Sequence, residues 1–216
     1  MLTSSPTKYG AGITLYGDFL DLGTVRETIV KIVDERWMEE NVRQFVLALA
    51  YDLRKAKEKK RETKKLGIEK EDTVRYRGVS ILWPHFLPQV ALLRQYAAYR
   101  DTDHRDQACL YMLEDCAITS LLAFDPAVGK ACAEFLLRFP LFPNDYLFEF
   151  CDECCKRYVE IPGKRRFHEL PVLLRSMWWI SEEYKEFAED LEQRAKELGC
   201  SPQELHDKGE WPDFQW

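Results

Sequence analysis

The stretch from Val74 to Arg100, VRYRGVSILWPHFLPQVALLRQYAAYR, most constrains what this chain can fold into. Its first half alternates apolar and polar side chains with period two, as in a strand with one buried face. The alternation changes phase at Gly78, where one extra residue would restore a common face, so the pattern predicts a β-bulge. The second half is apolar on several sides, which places this segment at the centre of the fold.

Two prolines mark the change from strand to helix in this stretch. Pro84 lacks the N–H that a continuing strand needs, so strand pairing should end near it. Pro88 suits the first turn of a helix, where a missing N–H leaves no hydrogen bond unmade. Apolar residues then recur with helical spacing from Phe86 to Ala97.

The N-terminus adds a hairpin to this strand. Residues 2–17 are typical of a β-hairpin, because Ile13 and Leu15 alternate with Thr14 and Tyr16, and Gly10 and Gly12 are turn residues. The remainder carries helical periodicity, with Asp18 or Asp21 and later Asp103 as N-caps. We therefore predict an α+β fold, mostly α-helical, with a small antiparallel sheet (the N-terminal hairpin plus residues 74–83) packed on a helical bundle.

Length and composition limit the organisation and the compartment. We expect one domain over residues 1–216, with an α+β part over about 1–100 and a helical part over about 101–216. The net charge is −6, and no apolar run reaches the roughly 20 residues of a membrane span. The first ten residues lack a secretory signal, and seven cysteines are an odd number. A cytoplasmic protein with reduced thiols is the expectation.

The cluster Cys151-Asp152-Glu153-Cys154-Cys155 contains a CxxC pattern, which can serve a redox pair or half of a zinc site. A second ligand pair is missing, and the motif falls inside a predicted helix. Cys151 and Cys154 lie on one apolar stripe with Leu147 and Tyr158, as packed core residues do. We predict core packing, and neither a metal nor a cofactor is expected.

Residues 54–65 hold eight cations and two glutamates, a surplus of six positive charges in an acidic chain. Read as the end of a helix that continues to Lys65, the run places four cations on one face: Lys57, Lys60, Arg61 and Lys64. Such a face could contact phosphates. No aromatic residue interleaves with it, and its glutamates are also typical of an ordinary solvated helix.

Aromatic residues are dense near the C-terminus: Trp178, Trp179, Trp211, Phe214 and Trp216. Exposed aromatics at this density mark an interface. Trp211, Phe214 and Trp216 form a tail that either folds back over an apolar groove or docks on another molecule. These three are the candidate interface residues.

Catalytic motifs are lacking, since the sequence has no phosphate loop and no serine elbow. His85 adjoins the proline corner, and Tyr76 lies on the preceding strand, so an enzyme site near them remains an alternative. The leading hypothesis is a non-enzymatic interaction or regulatory protein with a protein partner or as a homo-oligomer. The second is a nucleic-acid-associated protein that uses the run 54–65.

The segments YGDFLDL and ILWPHFLPQ together resemble a set of uncharacterised bacterial proteins over the first half of the chain. This resemblance implies a bacterial, soluble protein with a small sheet and many helices. It implies no activity, so it assigns no functional residue.

Overall fold

The computed structural model describes residues 1–33, 36, 38–58, 62–66, 74–138, 146–205 and 211–216. Within them the chain forms four strands and eight α-helices. The strands are β1 (Thr3–Pro6), β2 (Gly12–Gly17), β3 (Glu62–Leu66) and β4 (Val74–Leu82). The helices are α1 (Phe19–Ile32), α2 (Glu40–Lys57), α3 (Trp83–Ala97), α4 (His104–Phe124), α5 (Pro126–Arg138), α6 (Leu147–Glu160), α7 (Arg165–Ser176) and α8 (Glu182–Leu198). The predicted α+β, mostly helical class is confirmed.

The sheet has the order β1-β2-β4-β3, and every neighbouring pair is antiparallel. The predicted hairpin and the strand at 74–82 are confirmed, but the bulge at Gly78 is wrong. Pairing between β2 and β4 runs without interruption from Gly12↔Leu82 to Gly17↔Arg77. A Cβ on Gly78 would lie 2.6 Å from the ring of its cross-strand partner Tyr16. The glycine therefore makes room for an aromatic ring instead of admitting an extra residue.

Strand β4 passes directly into α3 at Trp83. Pro84 occupies the first turn of α3, whereas Pro88 lies in the helix interior, so the predicted position of Pro88 is wrong. The Trp83 N–H donates to the backbone oxygen of Ala11 at 3.2 Å, which ties the helix start to the hairpin. Since α3 packs against α1, α2, α4, α5, α6 and α7 as well as β2 and β4, it lies centrally, as predicted.

Helix α2 ends at Lys57, so the prediction of a helix that continues to Lys65 is wrong. Ala56 is its last buried residue, and the rest of the run offers no apolar side chain that a helix could bury. Residues 62–66 instead pair with β4 from Glu62↔Gly78 to Leu66↔Val74 and become the edge strand β3. As a strand, the segment satisfies its backbone hydrogen bonds by pairing with β4. As a helix, it would have had no apolar face to pack against the core.

The predicted helical face of Lys57, Lys60, Arg61 and Lys64 is therefore wrong as well. Lys57 closes α2, and Lys64 belongs to β3 opposite Tyr76. Lys60 and Arg61 lie outside the described residues.

Polar caps begin α1 and α4, as predicted. Asp18 and Asp21 form a capping box at α1, and Asp103 and Asp106 form another at α4. Residues 177–181 leave the helical path, so α7 and α8 are separate helices. None of the helices in the described ranges combines the length and apolar character needed to cross a bilayer.

Candidate functional site

The connection between α7 and α8 exposes three consecutive large apolar side chains. Trp178, Trp179 and Ile180 are 39%, 51% and 49% exposed. Met177 before them is fully buried. Ser181 after them donates its N–H to the Trp178 oxygen at 2.8 Å and its Oγ–H to the Ser176 oxygen at 2.6 Å. Because the turn is anchored at both ends, the exposure of this apolar knob (residues 178–180) is built into the fold.

Beside the apolar knob lies an open groove of about 550 Å³ along α7 and the start of α8. Ser176 and Glu183, which bracket the knob in sequence, both line this α7–α8 groove. Arg165 and His168 from the first turn of α7 also line it. Its apolar lining residues are Ile161, Val172 and Leu173. Glu169 lines the groove one turn after Arg165, so the groove carries charges of both signs along α7 and a carboxylate, Glu183, at the start of α8.

A second surface forms where the end of α2 meets β4 and the start of α1. Arg77 donates from Nη1 to the backbone oxygen of Lys57. The Lys57 Nζ lies 4.0 Å from the centre of the Phe19 ring, and the Arg77 guanidinium lies 5.8 Å from it. Phe19 is 53% exposed, so both cations stand around an aromatic ring at the surface.

Tyr51 supplies a second exposed ring nearly two turns before the end of α2. The Arg54 guanidinium and the Lys55 Nζ lie 5.1 Å and 4.9 Å from its centre. On β4, Arg75 is exposed and points to the same side of the strand as Arg77. We call this set the basic corner: Phe19, Tyr51, Arg54, Lys55, Lys57, Arg75 and Arg77. Sequence analysis missed Phe19 and both β4 arginines, because α1 and β4 reach this place only through the tertiary fold. It missed Tyr51 because the basic run was taken to begin at Arg54.

His85 lies in the first turn of α3 and contacts α6. Its Nε2–H donates to Asp152 Oδ1 at 2.7 Å, since an ionised carboxylate only accepts. The imidazole packs edge-on against Phe45 at 5.7 Å and Trp211 at 6.3 Å between ring centres. A carboxylate that orients an imidazole can support acid–base chemistry. The hydrogen bond ties α3 to α6, and the other contacts described for the ring are aromatic. An enzyme site near His85 stays a prediction.

The C-terminal segment 211–216 lies against its own chain. The Trp216 oxygen accepts from the Tyr9 N–H at 3.1 Å, and the Gln215 oxygen accepts from Arg166 Nη1 at 3.2 Å. Phe214 packs on the core, while Trp211 covers His85. Of the two alternatives for the tail, this geometry is the folded-back one. An interface role for Trp211, Phe214 and Trp216 toward another molecule stays a prediction.

The cysteine cluster of α6 lies in the core. Cys151, Cys154 and Cys155 are buried, and burial raises the pKa of each thiol, that of Cys154 to about 12. A thiol held protonated at neutral pH is a poor nucleophile and a poor metal ligand. The predicted burial of these thiols in the core is confirmed. Across the ranges that the structure describes, no three side chains of histidine, cysteine, aspartate or glutamate gather as a metal-binding group.

Another groove, of about 610 Å³, lies between the starts of α2 and α6 and has acidic walls. Its carboxylates are Glu39, Glu40 and Glu149. Glu40 already accepts hydrogen bonds from Arg43 and Gln44, and these lower the pKa of its carboxyl. Acidic walls alone assign no ligand to this groove.

Comparison with known proteins adds the family. No curated protein and no solved structure matches this chain. One family model matches residues 2–216, which is nearly the whole chain. The predicted resemblance to an uncharacterised family is thus confirmed, while a bacterial origin stays a prediction. The chain belongs to the family described as Domain of unknown function (DUF6904).

Proposed function

We propose that this protein functions by protein–protein association, and that its partner is a second copy of the same chain. The observation that carries the proposal is the apolar knob, where Trp178, Trp179 and Ile180 are held at the surface by an anchored turn. Tryptophan is enriched at the centres of interfaces, and contiguous exposed apolar surface marks docking sites.

The charges beside the knob support a second copy as the occupant. Arg165 and His168 lie at one end of the α7–α8 groove, and Glu183 lies at the start of α8. In a two-fold dimer the same patch meets itself in the opposite direction. A two-fold axis near the knob would set Arg165 of each copy beside Glu183 of the other, with indole rings against guanidinium groups.

The exposed area sets the expected strength of the dimer. Two half-exposed indoles offer about 200 Å² per copy, since a whole aromatic side chain buries about 150–250 Å². A standard interface buries roughly 800 Å² per partner. The walls of the groove and the outer faces of α7 and α8 must supply the rest. We therefore expect a reversible dimer with a Kd of about 1–100 μM.

Sedimentation velocity over about 1–200 μM protein tests this proposal. The wild-type chain should pass from monomer to dimer, and Trp179→Ser should weaken association at least tenfold. Tyr99→Ser is the matched control, because Tyr99 is an exposed aromatic residue outside the knob and the groove. It should leave the transition unchanged.

Two charge-reversal variants distinguish a specific two-fold contact from a general loss of self-association. Arg165→Glu alone and Glu183→Arg alone should each prevent self-association. In either variant, positions 165 and 183 carry like charges, and these face each other at both symmetry-related contacts of the dimer. An equal mixture of the two variants should form heterodimers, because both contacts regain opposite charges. A wild-type chain that stays monomeric over the whole range, or a mixture that stays monomeric, would overturn the proposal.

A further inference from the structure

We infer that the basic corner is a binding site for single-stranded nucleic acid, separate from the proposed dimer surface. The corner is built from α1, α2 and β4, whereas the knob and the groove are built from α7 and α8. The two proposals therefore fail or stand independently of each other.

The corner concentrates positive charge on an acidic protein. Five described cations lie in the last turn of α2 or on the neighbouring strand β4: Arg54, Lys55, Lys57, Arg75 and Arg77. The carboxylate of Glu58 lies 3.9 Å from Arg54 at the helix end. Although the whole chain carries −6, this local surplus of positive charge can attract a polyanion. Lys64 and Lys65 of β3 pair with Tyr76 and Arg75 of β4, so the adjacent edge strand also carries cations.

The exposed rings favour a single strand over a duplex. Proteins that bind single strands combine cations for the phosphates with aromatic side chains for the bases. Phe19 and Tyr51 are 53% and 48% exposed, and each has two cations beside it. The corner also presents the C-terminal end of α2, whose dipole repels phosphate. Helix insertion into a duplex groove is therefore disfavoured, and the side-chain cations must hold the phosphates.

The test is fluorescence anisotropy of a labelled oligo(dT) of about 20 nucleotides, titrated with the full chain at several salt concentrations. The site variant replaces Arg54, Lys55 and Arg75 by glutamine. Lys57 and Arg77 are kept, because they pack on Phe19 and on the end of α2. Removal of three phosphate contacts should lower the slope of log K against log salt by about 2. The charge-matched control replaces three lysines that are exposed outside the basic corner by glutamine: Lys130, Lys185 and Lys196. This control should bind oligo(dT) like the wild type.

Two further variants test whether the basic corner binds a single strand in preference to a duplex. Tyr51→Ala should weaken oligo(dT) binding about tenfold, as the loss of one stacked base does. Tyr99→Ala, which removes an exposed ring outside the corner, should not. Absence of binding at low salt, or an equal loss in both triple variants, would overturn the site. Equal affinity for a duplex together with no effect of Tyr51→Ala would overturn the single-strand assignment. Arg165→Glu should leave oligo(dT) binding unchanged.

Discussion

Replacement of Asp106 by alanine should destabilise the fold by removing a strap between α1 and α4. The Asp106 side chain, in a residue that is 5% exposed, accepts three hydrogen bonds. Thr28 Oγ1–H donates to Oδ1 at 3.0 Å, the Asp103 N–H donates to Oδ2 at 3.0 Å, and Lys31 Nζ also donates to Oδ2. One carboxylate thus serves the capping box of α4 and two side chains of α1.

The magnitude follows from these three partners. The buried Thr28 hydroxyl loses its acceptor, at a cost of about 1 kcal/mol. Loss of half of the capping box costs about 0.5–1 kcal/mol. Lys31 is 44% exposed, so water replaces most of its interaction with the carboxylate. Asp106→Ala should therefore lower the free energy of unfolding by about 1.5–2 kcal/mol and the melting temperature by about 3–8 °C.

The pH dependence gives an independent check. Burial alone would raise the pKa of the Asp106 carboxyl, but the hydrogen bonds from Lys31, Asp103 and Thr28 outweigh it, and the pKa is lowered. Its stabilising contribution is thus complete above the unfolded value of about 4 and is lost as the pH falls through the lower folded value. The difference between the wild type and Asp106→Ala should be constant from pH 7 to about 5 and should shrink in stronger acid.

Urea unfolding followed by tryptophan fluorescence measures both effects. Asp115→Ala is the matched control, since Asp115 is an exposed carboxylate on the same helix, and it should change the free energy by less than about 0.5 kcal/mol. If Asp106→Ala were as mild as this control, or if its effect did not shrink in acid, the strap would be refuted.

Three other changes have defined outcomes. Gly78→Val should destabilise the fold by about 1–3 kcal/mol in thermal melts, because the added side chain meets the Tyr16 ring, and Tyr16→Ala in the same chain should recover part of the loss. A thiol reagent should modify Cys200 first and the six buried cysteines only on unfolding, and fast reaction of buried thiols in the folded protein would contradict their burial. Deletion of residues 211–216 should lower the melting temperature, because Arg166 loses a carbonyl acceptor, and an unchanged melt would show that the docked tail adds no stability.

Residues within one turn predicted the helix ends, because the conformation of a helix end depends on those residues alone. Asp18 and Asp103 cap their helices as expected, and Gly199 ends α8 with a φ of +66°. A cap depends on the residues of a single turn, and so does a left-handed helix end. The apolar stripe of α6 also predicted the burial of its cysteines, because a helical period assigns residues to one face whatever the partner is.

The errors arose where a partner distant in sequence decides the outcome. Gly78 was interpreted as a bulge, but its role is set by Tyr16 on the neighbouring strand. Residues 62–66 have helical composition, yet pairing with β4 makes them a strand, since strand formation depends on a ladder that the segment itself does not contain.

The amino-acid sequence by itself determined the fold class, the hairpin, the helix caps and the buried thiols, because these follow from periodicity and from side chains within one turn. Only the tertiary structure decided the candidate sites. It set Phe19 beside Lys57 and Arg77, and it joined His85 to Asp152. A surface forms when elements far apart in sequence pack together, and the pattern within each element does not contain that packing.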